Sequence, residues 1–255
     1  MKTNIAPGPR NNSGFTLVEM AIVLAVIGLI LGAVMIGKDV QRNAEYTKIK
    51  QKFIDQWAVA YNAYYQRMGV PIGDSQTEPQ LMVNGQVYID DNNNDPSGGD
   101  MSDASIDELC DADSDGLRDF MLRAGIEMPP GRAEGAEDRY VYLDTNGNPQ
   151  EIQVCFKWNP PETFSGSGNV MVIKGLTPDL ARYLDQAVDG KADALEGAFR
   201  EADVTANNNT GTPGSEWGSN NTYDVDDASA TATGAGETLD EDQVAIMTAH
   251  YKMNQ

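Results

Sequence analysis

Between Phe15 and Gly37 the chain runs for 23 residues with a single charge, Glu19. At about 1.5 Å of rise per residue, a helix of that length crosses the roughly 30 Å hydrocarbon core of a bilayer. The segment reads as a membrane helix. It is too long for an ordinary buried core helix. It also differs from a cleaved secretory signal, because no small-residue cleavage site follows and the apolar run passes directly into an amphipathic helical pattern. Gly28 and Gly32 form a Gly-x-x-x-Gly pair, which reads either as a place of close helix approach or as two glycines tolerated in a span.

Gly14-Phe15 stands at the front edge of this run, behind a polar leader carrying Lys2 and Arg10. The string Gly14-Phe15-Thr16-Leu17-Val18-Glu19 resembles the prepilin signature of type IV pilins and of the pilin-like subunits of type II secretion systems. The resemblance implies that prepilin peptidase cuts between Gly14 and Phe15 and N-methylates the new terminus at Phe15. The apolar helix then begins the mature protein. Glu19 fits this independently, since a carboxylate in hydrocarbon costs several kcal/mol unless it is neutralised or paired. In the family the partner is the N-terminal amine of a neighbouring subunit, which makes Glu19 an assembly residue. The alternative is a carboxylate that sits near the headgroups or favours the positive helix N-terminus.

Charge is distributed unevenly around that helix. Residues 1–52 carry seven Lys/Arg against Glu19, Asp39 and Glu45, a balance of +4, and the remainder carries −25. A head so acidic repels nucleic acid and anionic lipid, so no nucleic-acid partner is expected. Lys2 and Arg10 keep the N-terminus in the cytoplasm by the positive-inside bias, which puts the head outside it.

From Lys38 an amphipathic pattern continues without a break. Tyr46, Ile49, Phe53, Trp57, Ala60 and Tyr64 recur at spacings of three and four and make one apolar face of a helix that runs from Phe15 to about Arg67, before Gly69 and Pro71. Asn84-Gly85 within Leu81–Ile89 predicts a tight hairpin. Arg139–Leu143 and Glu151–Trp158, flanking Asp144-Thr-Asn-Gly-Asn148, predict a second, and Asn169–Lys174 a further strand. Alternation in these runs predicts an antiparallel sheet with one face on a core, covered by the aromatic helical stripe. The fold class is α+β, and a long N-terminal helix packed on an antiparallel sheet resembles the pilin-like architecture. The organisation is a leader over 1–14, a transmembrane and filament-core helix over 15–37, its amphipathic continuation over 38–68, and an acidic head over 69–255.

Thr177-Pro178-Asp179 opens a helix that Gly190 stops, with Asp185 and Asp189 on its wet face. The stretch Gly175–Arg200, a short helix, an Asp-Gly turn and a strand ending in Arg, looks like one seen in some large pilin-like proteins. Residues 202–236 are rich in Asn, Thr, Gly, Ser and Asp and read as loop, with Trp217 as a candidate anchor. Thr238 and Glu241 form a capping box ahead of Val244, Met247 and Tyr251, which predicts a terminal helix over Thr238–Lys252.

Asp111, Asp113 and Asp115, followed by Gly116, match the first half of an EF-hand loop, with Asp119 where a water-bridging ligand sits. Leu122 stands where the bidentate carboxylate belongs. A Ca²⁺ site and a solvated acidic loop both remain open readings. Cys110 and Cys155, an isolated pair in an extracytoplasmic head, point to a disulfide, with unpaired thiols as the alternative.

His250 is the only histidine, and no phosphate loop, nucleophile elbow or Cys-x-x-Cys appears, so the chain does not read as an enzyme. The resemblance implies a minor pilin or pseudopilin, inserted in the inner membrane with a single pass and then built into a pilus or periplasmic pseudopilus. Its partners would be copies of itself or other pilins and pseudopilins, prepilin peptidase and the inner-membrane assembly machinery. The other readings are a major pilus subunit, and a membrane-anchored module that binds calcium or a partner and never polymerises.

Overall fold

The computed structural model describes residues 17–85, 108–110, 116–145, 147–202, 217 and 246–253. The chain divides into two units, Met1–Glu45 and Tyr46–Gln255. In the first, helix α1 (Leu17–Ile49) begins, and its apolar side chains from Leu17 to Val40 are exposed.

In the second unit, α1 gives way to a five-residue π turn, Lys50–Ile54, and then to α2, Asp55–Met68. The wider turn closes with the Asp55 amide donating to the Lys50 carbonyl, and it sets positions i and i+5 side by side. Lys50 Nζ accordingly donates to the Asp55 carboxylate at 2.9 Å. The extra residue lets Phe53 and Ile54 both point inward, which uniform 3.6-residue spacing does not supply. α2 ends at Gly69, whose φ of 78° is the left-handed conformation that favours glycine at a helix C-terminus.

Five antiparallel strands make one sheet in the order β1-β2-β3-β5-β4: β1 Arg139–Leu143, β2 Pro149–Asn159, β3 Gly168–Leu176, β4 Phe199–Glu201 and β5 Met247–Lys252. The hairpin expected around Asp144–Asn148 is present, with the Asp144 carboxylate accepting the Asn148 amide at 2.8 Å. The inner face of the sheet meets the aromatic stripe: Tyr46, Ile49, Phe53, Trp57, Ala60 and Tyr64 are all buried in the core. Phe156 is the centre of that contact, stacked on Tyr61 with centroids 5.1 Å apart and edge-on to Trp57 at 6.2 Å. Phe53 meets Tyr140 at 5.3 Å, and Tyr46 meets Tyr183 at 5.6 Å. Helix α3 spans Leu117–Ala124, and α4 spans Pro178–Asp189. The sheet bulges after Ile173, and Gly175 takes φ 79° there with its Cα against the Glu151 carbonyl. A Cβ would strike that oxygen, so the bulge requires glycine.

Two expectations are overturned. Leu81–Gly85 is a turn and no strand, while 86–89 lie outside the described residues. Met82 and Val83 are consecutive and both buried, which a strand with one wet face does not allow. The Asp74 carboxylate holds the segment by accepting the Leu81 amide at 2.8 Å, and Asn169 of β3 exchanges hydrogen bonds with Val83 N and Leu81 O at 2.8 and 3.0 Å. The terminal helix is replaced at 247–252 by β5, which fills the sheet between β3 and β4. Ala249 packs in the inner core and Tyr251 against it, and the alternation with Thr248, His250 and Lys252 is that of a strand. Thr238, Glu241 and Val244 lie outside the described residues.

Leu109 pairs with Phe156 on the flank of β2, which sets Cys110 opposite Cys155, and the two are joined in a disulfide with Cα atoms 4.6 Å apart. The bridge closes a loop of sequence separation 45. Loop-closure entropy puts its contribution at roughly 3 to 4 kcal/mol. The Cys110→Ser, Cys155→Ser double variant should therefore lose about that much stability in denaturant unfolding in detergent micelles, and an unchanged midpoint would contradict this placement of the bridge.

Candidate assembly segment and its supporting head

Glu19 lies in the first turn of α1, exposed among exposed apolar neighbours that include Leu17, Val18 and Ile22. The most apolar stretch of the helix is exposed throughout, and the helix is long and apolar enough to cross a membrane. At Gly28 and Gly32 a Cβ would meet nothing within 4 Å, so the backbone is open there to another helix. Gly14 and Phe15 lie outside the described residues.

The acidic loop divides between described and undescribed residues. Asp111, Asp113 and Asp115 lie outside the described residues. Asp119 sits inside α3 with its carboxylate 3.8 Å from Arg123, one turn on, and Leu122 is half exposed. Among the described residues, one group of three potential metal ligands converges, Glu108 with Cys110 and Cys155, but both sulfurs belong to the disulfide.

Asp185 and Asp189 are not a solvated face. Asp185 is fully buried and its Oδ2 accepts the Trp217 indole N–H at 2.7 Å and the Asp193 amide at 2.6 Å. Asp189 Oδ2 accepts the Ala198 and Phe199 amides, both at 2.9 Å, and lies where a Cβ on Gly197 would stand. Two acids of α4 thus fold the loop 190–198 back onto the helix and deliver Phe199 to β4. Trp217, buried against Phe199 at 5.3 Å, is fixed by the same carboxylate as the Asp193 amide. The helical pattern does not show this. The signals are the glycines at 190 and 197 bracketing the loop, and a lone tryptophan in a polar tail.

Burial raises the Asp185 carboxyl from 3.8 to about 6, opposed by its hydrogen bonds from Trp217 and Asp193 and reinforced by Asp189. Above the unfolded value the folded state still holds a proton, so the stability this group contributes is present at low pH and is lost as pH rises through about 6.

The N-terminal segment matches one family model, the prokaryotic N-terminal methylation motif, over residues 9–35. No curated protein and no solved structure matches the chain. The motif covers part of the leader, the Gly14-Phe15 junction, Glu19 and most of the apolar run, and leaves the head unassigned.

The buried carboxyl yields a prediction for the head. Asp185→Asn keeps an acceptor for Trp217 and removes the titration, so its stability relative to the unaltered chain should improve as pH is raised from about 5 to about 7.5. Parallel unfolding curves for the two proteins across that range would refute the assignment. Residues 9–35 thus carry the prepilin-type segment that is the signature of type IV pilins and pseudopilins, and the exposed apolar helix and the α+β arrangement are consistent with a pilin-like fold.

Proposed function

We propose that the chain is a minor pilin or pseudopilin, cut by prepilin peptidase between Gly14 and Phe15, methylated at Phe15, and assembled through its N-terminal helix into a filament. The observation that carries this reading is Glu19, a carboxylate in the first turn of a helix whose residues from Met20 to Gly37 are apolar and exposed. In hydrocarbon such a group demands a cationic partner, and stacking helices in register supplies one from the amine of the next subunit. The open backbone at Gly28 and Gly32 favours close packing between neighbouring helices. Before assembly the helix holds the chain in the inner membrane, with the head outside the cytoplasm by the charge bias of Lys2 and Arg10.

A head built from an aromatic core, a five-stranded sheet and a disulfide serves as a rigid body displayed on the filament. Its size, with a long polar excursion between β4 and β5, favours a specialised subunit over the repeating one of a surface pilus. Asp111, Asp113 and Asp115 supply the first half of a Ca²⁺ loop ahead of α3, and Leu122 in place of the bidentate carboxylate makes such a site a weak one.

Glu19→Ala separates this reading from that of a membrane-anchored module that never polymerises. The precursor should still insert and be cleaved, while its recovery in the filament or pseudopilus falls by about tenfold or more, the scale of a lost charge-assisted contact. Undiminished recovery and function would favour the non-polymerising module.

A further inference from the structure

The face of the sheet turned away from the aromatic core carries a cleft of about 420 Å³, within the range of small-ligand sites. Cross-strand register explains its lining. Phe156, Met171, Tyr251 and Phe199 form a row on the inner face, so the neighbouring row, Cys155, Val172, His250 and Arg200, belongs to the outer one. Lys157 and Asn159 of β2, Lys174 of β3, and Thr248 and His250 of β5 follow the same alternation and line the cleft. The segment after β2 closes its side with Thr163 and Ser165.

Two lysines and one carboxylate line the cleft. Antiparallel pairing of Leu109 with Phe156 brings Glu108 opposite Lys157, yet the Glu108 carboxylate is ion-paired with Lys174 on the neighbouring strand. Lys157 is half-buried and has no ion-pair partner among the described residues. Among the described residues, Lys157 thus leaves the cleft with one positive charge that no carboxylate pairs, in a chain of formal charge −21. That excess matches a monoanion; among the described residues of the lining, a dianion would find no second free cation.

The remaining wall is preorganised and rich in hydroxyls. Asn159 Nδ2 donates to the Gly166 carbonyl at 2.9 Å and lies 3.1 Å from His250 Nδ1. An amide nitrogen can only donate, so the Asn159 contact favours Nδ1 as the acceptor in that pair. Ser165 Oγ lies 2.9 Å from the same Nδ1, so Asn159, Ser165 and His250 form one buried hydrogen-bonded cluster. The Thr163 hydroxyl already donates to the Pro160 carbonyl at 2.7 Å and Ser165 is bonded to His250, so these two offer acceptor oxygens while Thr248 can donate and accept, which suits the hydroxyls of a sugar better than an apolar body.

We propose that this cleft binds a small sugar acid, its carboxylate on Lys157 and its hydroxyls on Thr163, Ser165 and Thr248. The site is independent of the assembly helix and gives the displayed head a recognition surface of its own.

The single histidine supplies the probe. In the full chain in detergent micelles, labelled on the His250 imidazole, galacturonate should displace the ring resonances saturably. Galactose, which differs only by having a hydroxymethyl group where galacturonate has a carboxylate, should bind about tenfold more weakly or less. Lys157→Met should weaken galacturonate by a similar factor with the unliganded His250 signal in place, while Lys157→Arg retains binding. Thr248→Val, on a different strand, should weaken it too. No saturable displacement by galacturonate, an equal response to galactose, or full binding in Lys157→Met would each overturn the proposal.

Discussion

The aromatic face of the helix from Tyr46 to Tyr64, closed on Phe156 of β2, is the contact on which the rest of the second unit depends. Aromatic side chains bury large areas and prefer tilted and offset geometries, so a few of them fix both the position and the rotation of a helix on a sheet. Once Trp57 and Tyr61 lie against Phe156, the alternation along β2 puts Ile152 and Val154 in the same core and Cys155 and Lys157 on the far side. The π turn before Asp55 belongs to this arrangement, because it realigns Phe53 and Ile54 with the sheet. The disulfide then fastens the strand-like residues around Leu109 to the outer edge of β2.

Where residue pattern and local chemistry agree, the fold is legible in the amino-acid sequence. Large apolar residues at spacings of three and four can only be one helical face, and Asp144 with Gly147 in a short polar loop between alternating runs can hardly be anything but a hairpin. The C-terminal stretch is ambiguous in a physical sense, since Met247 and Tyr251 satisfy a helical period and Thr248, His250 and Lys252 satisfy a strand period. What decides it is non-local: β3 and β4 each present an edge whose amides and carbonyls need partners. Asn84-Gly85 misleads for a related reason, because Asp74 and Asn169 supply from a distance the hydrogen bonds that a hairpin would have provided.

The functional residues divide along the same line. Glu19 stands out as a candidate because a charge in an apolar run is costly and its position is therefore informative, and the Gly14-Phe15 junction is legible only as part of the matched motif. Asp185 and Asp189 look like a wet helical face until the loop after Gly190 returns over them and uses their oxygens. The outer cleft cannot be read from sequence at all, since Glu108, Lys157, Lys174 and His250 meet only through the register of β2, β3 and β5. The chain thus combines an N-terminal segment that carries the methylation motif on a helix apolar enough to cross a membrane with a head whose surface is specified by its sheet.

Intact mass spectrometry of the protein from native membranes and from sheared filaments tests the central claim most directly. The account predicts a species that has lost residues 1–14 and gained one methyl at Phe15, abundant in membranes and sparse in filaments. A chain that retains its leader in both fractions would contradict it.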